Sequence, residues 1–171
     1  MTDDLIRSLG YLTLGSRLKR LGEQLQGDVA RLSQDLGLPV QAGHYLILAA
    51  LDQSGPLTIG RLAQTIGVSQ PAVTRSVAGL LEQCLVEPIA NPGDLRQRTI
   101  ALTASGAVFV SHVKHVVWPA IEAAVRLLCQ DLSGSLLDQI TGMETALATE
   151  PLDRRARTLL SAKEEQPDAP A

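Results

Sequence analysis

Residues 57–81, LTIGRLAQTIGVSQPAVTRSVAGLL, leave a folding chain few options. Two short runs with helical apolar spacing meet at Gly67, and each opens on a hydroxyl residue suited to an N-cap, Thr58 and Ser69. Isolated helices of this length are marginal in water, so the two must cover each other's apolar faces. The spacing predicts contact through Leu62, Ile66, Val68 and Val73, with Ala63 small where the helices cross. Gly67 in the turn can take a positive φ at little cost. Pro71 falls in the first turn of the second helix, where a missing N–H is harmless, and Val73, Val77, Leu80 and Leu81 mark its buried face. The segment reads as a helix-turn-helix.

The flanking sequence is also largely helical. Leu14, Leu18, Leu21, Leu25 and Leu32 predict one long amphipathic helix from Asp4 to about Leu36, with Gly37 as its stop. A second helix is expected over Pro39 to Gln53. After Cys84, the run Leu85–Ile89 leans to strand, Asn91-Pro92-Gly93-Asp94 is turn chemistry, and residues 98–102 alternate as a returning strand. From Ala104 to about Leu132 the pattern is helical, with a kink expected at Pro119. Leu136, Ile140, Met143 and Leu147 outline a further helix, and the stretch beyond Pro151 offers one or two turns before a polar tail. The predicted fold class is mainly α with a small two-stranded β hairpin. Two strands alone are marginal, so the hairpin must lean on its neighbouring helices.

Composition narrows the function classes. Apolar residues make up 45% of the chain and aromatics only 2%, which suits helices packed through Leu, Val, Ile and Ala. The formal charge is −3, which argues mildly against nucleic acid until local placement is considered. No apolar run approaches membrane-spanning length, and Cys84 and Cys129 are expected as free thiols in a cytoplasmic protein. No Ser/His/Asp grouping, phosphate-binding glycine loop or carboxylate pair occurs at workable spacing, so no enzyme, cofactor or catalytic residue is expected. His112 and His115 at i and i+3 read as surface histidines on a polar face, with His44 elsewhere; a metal site needs three or four converging ligands with a second shell, and none is expected.

In a helix-turn-helix the second helix enters the major groove and its first turns face base edges. Here those positions are Ser69, Gln70, Pro71, Ala72, Thr74 and Arg75. Gln suits adenine, Arg suits guanine, and a Thr methyl can meet that of thymine. The hairpin that follows carries Arg96 and Arg98 where a wing would reach phosphate or a narrow minor groove, with Asp94 as a bracing residue. Asp94, Arg96, Leu102, Thr103 and Gly106 match the Asp-x-Arg … Leu-Thr-x-x-Gly wing signature, and Val73-Thr74-Arg75 and Leu80-Leu81-Glu82 match the recognition helix, so the chain resembles the MarR family of transcriptional regulators.

The resemblance implies a homodimer, with residues 4–36 and 104–149 as its helical dimerisation region and 38–103 as a winged helix-turn-helix; the polar, Pro/Ala-ending sequence of 151–171 reads as a partly disordered extension. The resemblance also implies double-stranded DNA as partner, a pseudo-palindromic operator, and repression relieved by a small aromatic or anionic effector, with Tyr11, His44 and Tyr45 as candidate pocket residues. Two departures stand out. Cys84 occupies a position where the family often has glycine, and Glu87-Pro88 replaces a frequent Glu-Arg. Across residues 58–103 four arginines face three carboxylates, a net +1. The alternative reading is a winged-helix dimer that serves as a protein-interaction module with weak or lost DNA binding.

Overall fold

The structure is a computed structural model that describes residues 4–90 and 98–164. The order of elements is α1 (Leu5–Ser8), a 3-10 turn (Gly10–Thr13), α2 (Leu14–Asp35), α3 (Ala42–Ser54), β1 (Leu57–Thr58), α4 (Ile59–Ile66), α5 (Gln70–Glu82), β2 (Val86–Ala90), β3 (Arg98–Leu102), α6 (Ala104–His115), α7 (Val117–Cys129), α8 (Leu136–Thr149) and α9 (Leu152–Glu164). No helix among the described residues is long and apolar enough to cross a membrane.

The chain divides into two compact units, Met1–Ile121 and Glu122–Ala171. In the first, α3 is the central element, packed against α2, α4, α5, α6 and β3. Leu48, Leu62, Leu80, Val110 and Val113 are completely or almost completely excluded from water. Each such side chain contributes roughly 1.5–3 kcal/mol of burial, which offsets the ordering of these short helices. The Lys114 ammonium donates to Asp52 Oδ2 at 2.7 Å, an exposed bridge between α6 and α3 that contributes little beside that core.

Five expectations need correction. The first helix is not continuous: Gly10 takes φ +58°, ending the ladder and passing the chain through a 3-10 turn before α2. Arg20 donates to Asp4 Oδ2 at 2.7 Å, and this bond holds the Asp4 carboxyl below its ordinary range. The second helix starts at Ala42, not Pro39. The hairpin gains a third strand, because β1 pairs antiparallel along the free edge of β3, Leu57 opposite Ile100 and Thr58 opposite Thr99, giving the order β1-β3-β2. A two-residue strand is too short to show alternation in sequence. Its partner makes it.

The expected kink at Pro119 is a full break three residues upstream. Proline has no N–H for the carbonyl of residue 115 and its ring crowds that oxygen, so α6 ends at His115 and α7 begins at Val117. Finally, the one or two turns expected after Pro151 are the 13-residue helix α9. Arg155 explains its docking in the second unit: its guanidinium donates to the carbonyls of Ala146 and Glu150 at 2.8 and 2.9 Å, capping the C-terminus of α8.

Cys84 is exposed, not the small buried residue that a free cysteine usually is, and it sits at φ +55°. That left-handed conformation crowds Cβ against the backbone and is disfavoured for any residue but glycine. Cys84→Gly is therefore expected to stabilise the protein by about 0.5–1 kcal/mol, raising the thermal midpoint by roughly 2–3 °C. A melting curve of the variant at or below the parent's midpoint would contradict this.

Candidate nucleic-acid interface

The two helices around Gly67 form as their sequence dictates. The Thr58 hydroxyl accepts the Arg61 N–H at 3.2 Å, capping α4, and Gly67 closes that helix at φ +74° with its N–H on the Ala63 carbonyl. Leu62, Ala63 and Val73 are buried between the helices and Ile66 is half-buried. Val68, expected in the same seam, stands in the turn with 43% of its surface exposed. Ser69 holds the N-cap position of α5, but its hydroxyl makes no cap bond; its carbonyl accepts the N–H groups of Ala72 and Val73 at 3.0 and 3.1 Å.

Helix α5 is two-faced. Val73, Val77 and Leu80 are buried, whereas Ser69, Gln70, Pro71, Thr74 and Arg75 are exposed. The Thr74 hydroxyl donates to the Gln70 carbonyl at 2.9 Å, which fixes its rotamer and leaves its methyl to solvent. On α4, Arg61 donates to Gln64 Oε1 at 2.6 Å.

Strands β2 and β3 carry the hairpin, paired from Val86 opposite Leu102 to Ala90 opposite Arg98. Arg98 therefore opens β3. Asp94 and Arg96 lie outside the described residues, as does the side chain of Arg98.

The base of the hairpin is clamped by groups that sequence reasoning matched to a signature without a reason. Thr103 caps α6 by accepting the Gly106 N–H at 2.9 Å, while its hydroxyl donates to the Cys84 carbonyl at 2.7 Å. Ser105 donates to the same carbonyl at 2.9 Å, and the Thr103 N–H donates to the Leu85 carbonyl at 3.1 Å. Gly106 lies so close to Leu85 that a Cβ there would sit 1.9 Å from the Leu85 oxygen. The exit of α5 and the start of α6 are thus joined at the two ends of the hairpin. The Leu-Thr-x-x-Gly spacing was the available signal.

The three candidate effector residues do not come together. Tyr11 is 93% exposed in the 3-10 turn, so it joins no cavity within the protomer. His44 and Tyr45 are buried neighbours on α3. The Tyr45 hydroxyl shares a 2.9 Å hydrogen bond with Ser33 Oγ, and its ring meets Trp118 edge-on at 6.4 Å. His44 Nδ1 accepts the Gln41 N–H at 3.4 Å, part of the first turn of α3. His112 and His115 are exposed on α6, and among the described residues no three His, Cys, Asp or Glu side chains converge as a metal site would need.

Burial pushes the His44 imidazole below its ordinary value of 6.5. An unfolded chain then takes up a proton that the folded one refuses, so stability falls as pH drops below about 6.5 and is unaffected by this group above it. Denaturant titrations between pH 7.5 and 5 should show this decline, and His44→Gln should flatten it. An identical slope in the variant would remove His44 as the cause.

Residues 36–97 match the MarR family. An HTH-type transcriptional regulator of Mycobacterium bovis is 33% identical over 96 residues, covering 53% of this chain and 67% of that relative. Among solved structures, a mutant MarR from E. coli complexed with operator DNA aligns at a TM-score of 0.64 with 20% identity, covering 85% of this chain and 97% of that one. The M. tuberculosis regulator MOSR in complex with DNA aligns at 0.63 with 21% identity, covering 80% and 96%. At such identities the structural likeness speaks for the fold, and the curated relative carries the lineage. With the family match running from α3 through the two-faced α5 to β2, this chain belongs to the MarR family of winged helix-turn-helix transcriptional regulators.

Proposed function

We propose that the protein acts in the cytoplasm as a homodimeric repressor that reads a pseudo-palindromic site in double-stranded DNA and is released by a small ligand. One observation carries the reading: α5 buries Val73, Val77 and Leu80 on one side and leaves Gln70, Thr74 and Arg75 exposed on the other. A helix supported from behind and polar in front suits the major groove. Ser69 and Pro71 complete that face, and Asp94, Arg96 and Arg98 form the wing in this reading, with residues 38–103 as the DNA-binding region. Residues 4–36 and 104–149 supply the dimer contact. The uncovered apolar face of α8 supports it, with Leu137, Ile140, Met143 and Leu147 between 37% and 75% exposed. An effector acting at His44 and Tyr45 would have to open the packing of Tyr45 on Trp118; Tyr11 is reached from solvent.

Selection of bound fragments from genomic DNA with the purified protein, followed by mobility shifts against random duplex, tests the reading. A recovered palindrome bound well above random supports it, and uniform weak binding favours the protein-interaction module, whose support is the net +1 of the segment. Arg96 gives a second handle. A dimer lacking both copies gives up two phosphate-type contacts, so Arg96→Ala should lower the salt dependence of log K by about two counterions. An unchanged salt slope would take the hairpin off the DNA.

A further inference from the structure

Helix α5 holds a glycine, Gly79, in its interior, where glycine is the least favourable residue short of proline. The reason lies on α3. A Cβ at Gly79 would sit 3.2 Å from His44 Cε1 and 3.3 Å from His44 Nε2, so the imidazole occupies the space of the missing side chain. The ring has little freedom to retreat, being buried, with Nδ1 accepting the Gln41 N–H. With Nδ1 an acceptor, the neutral ring carries its proton on Nε2, the side facing α5. Gln83, the C-cap of α5, has its Oε1 buried without a hydrogen-bond partner among the described residues. The face of α5 that meets His44 thus lacks a side chain where the ring sits.

We propose that His44 is a positioning residue for base readout: seated against Gly79, its ring sets the height and tilt of α5, and so where Gln70, Thr74 and Arg75 reach. This rests on the reading of α5 as the DNA-contacting helix. The first half of α5 is anchored by the buried Val73, and its second half by the buried Val77 and Leu80 together with the seat of Gly79 on His44. Displacing the second support by a few tenths of an ångström tilts the first turns, and hydrogen bonds to base edges weaken steeply once they leave their narrow range of length and angle. Phosphate attraction falls off slowly with distance and is hardly affected. The signature of the seat is therefore a loss of discrimination without a loss of general DNA affinity.

The experiment compares the full-length parent with Gly79→Ala, His44→Ala and the double variant, on the selected site and on random duplex of equal length at one salt concentration. Gly79→Ala should melt within about 3 °C of the parent, because the gain in helix propensity offsets the squeeze. Its binding to the selected site should fall about tenfold and its random binding by less than about twofold. In the double variant the alanine methyl takes space vacated by the ring, and discrimination should return to within about threefold of the parent. Discrimination like the parent's in Gly79→Ala, or a double variant no better than Gly79→Ala, overturns the proposal. Should Gly79→Ala not fold, His44→Gln decides the question, since it keeps an acceptor for the Gln41 N–H but lacks the ring: unchanged discrimination overturns the seat. A parent that binds all duplexes equally overturns the DNA reading itself, which separates the two failures.

Discussion

Gly106→Ala is expected to cost the fold about 3–5 kcal/mol, the largest effect of any single methyl in the described protein. The added Cβ would lie 1.9 Å from the Leu85 carbonyl oxygen and 2.9 Å from its carbon. Both are backbone atoms, so no side chain can swing away, and α6 must lift from the start of β2 by more than an ångström. That movement breaks the bond from the Thr103 N–H to the Leu85 carbonyl and pulls on the two hydroxyl bonds to the Cys84 carbonyl. The Leu85 carbonyl, on a buried residue, adds about 1–3 kcal/mol if left unmatched, whereas the exposed hydroxyl bonds to Cys84 add less. The thermal midpoint should fall by roughly 10 °C or more, or the chain should not accumulate as soluble protein. Gly43→Ala is the control: it lies exposed in the first turn of α3 with nothing within 4 Å of the added Cβ, so its stability should be unchanged or slightly higher. Gly106→Ala melting alongside Gly43→Ala would mean that the hairpin is not clamped as described.

The second large effect concerns Arg75. It is exposed in the second turn of α5, one residue beyond Thr74, whose hydroxyl is tied to the Gln70 carbonyl. A guanidinium there can make a bidentate contact to guanine, worth about 1–3 kcal/mol of discrimination, and a symmetric dimer makes it twice. Arg75→Ala should then weaken binding to the selected site by roughly 30-fold or more, and binding to random duplex by far less. Stability should move by no more than about 0.5 kcal/mol, since the side chain is exposed. Arg75→Lys keeps the charge but loses the planar fork, so it should recover general affinity more than discrimination. Competition titrations of both variants decide the matter. Equal losses on selected and random DNA would show that Arg75 meets phosphate and that bases are read elsewhere.

Much of this arrangement was legible in the residues themselves. The 3.6-residue spacing of Leu62, Ile66, Val73, Val77 and Leu80 identifies two short helices that must pack, because neither can cover its own apolar face. Gly67 marks their turn for a purely local reason, the freedom of its φ. The exposed face of α5 follows as the complement of the buried one, although Leu81, expected inside, is exposed; the way a second helix enters the major groove, together with base-pairing chemistry, then singles out Gln70, Thr74 and Arg75. Turn chemistry and alternation likewise announced the paired strands β2 and β3.

Other features depended on atoms distant in sequence. Strand β1 exists only because β3 offers it an edge, and two residues carry no periodicity. Pro119 signalled a disturbance, but the break at Val116 reflects where a ring four residues on denies a carbonyl its partner. Docking of α9 rests on Arg155 reaching the carbonyls of Ala146 and Glu150, a contact spanning nine residues that charge patterning does not announce. Tyr11 reads in sequence like Tyr45, yet one is bathed in solvent and the other is locked between Ser33 and Trp118, since burial belongs to the packing and not to the side chain. The same holds for the two glycines that matter most. Nothing local distinguishes Gly79 or Gly106 from an ordinary helix weakness; only the approach of His44 and of the Leu85 carbonyl makes a side chain impossible to place there without moving its neighbour. Local periodicity and turn chemistry determined where most of the helices and the β2–β3 pair form and which face of α5 is free. Contacts between elements far apart along the chain decided how tightly that face is held.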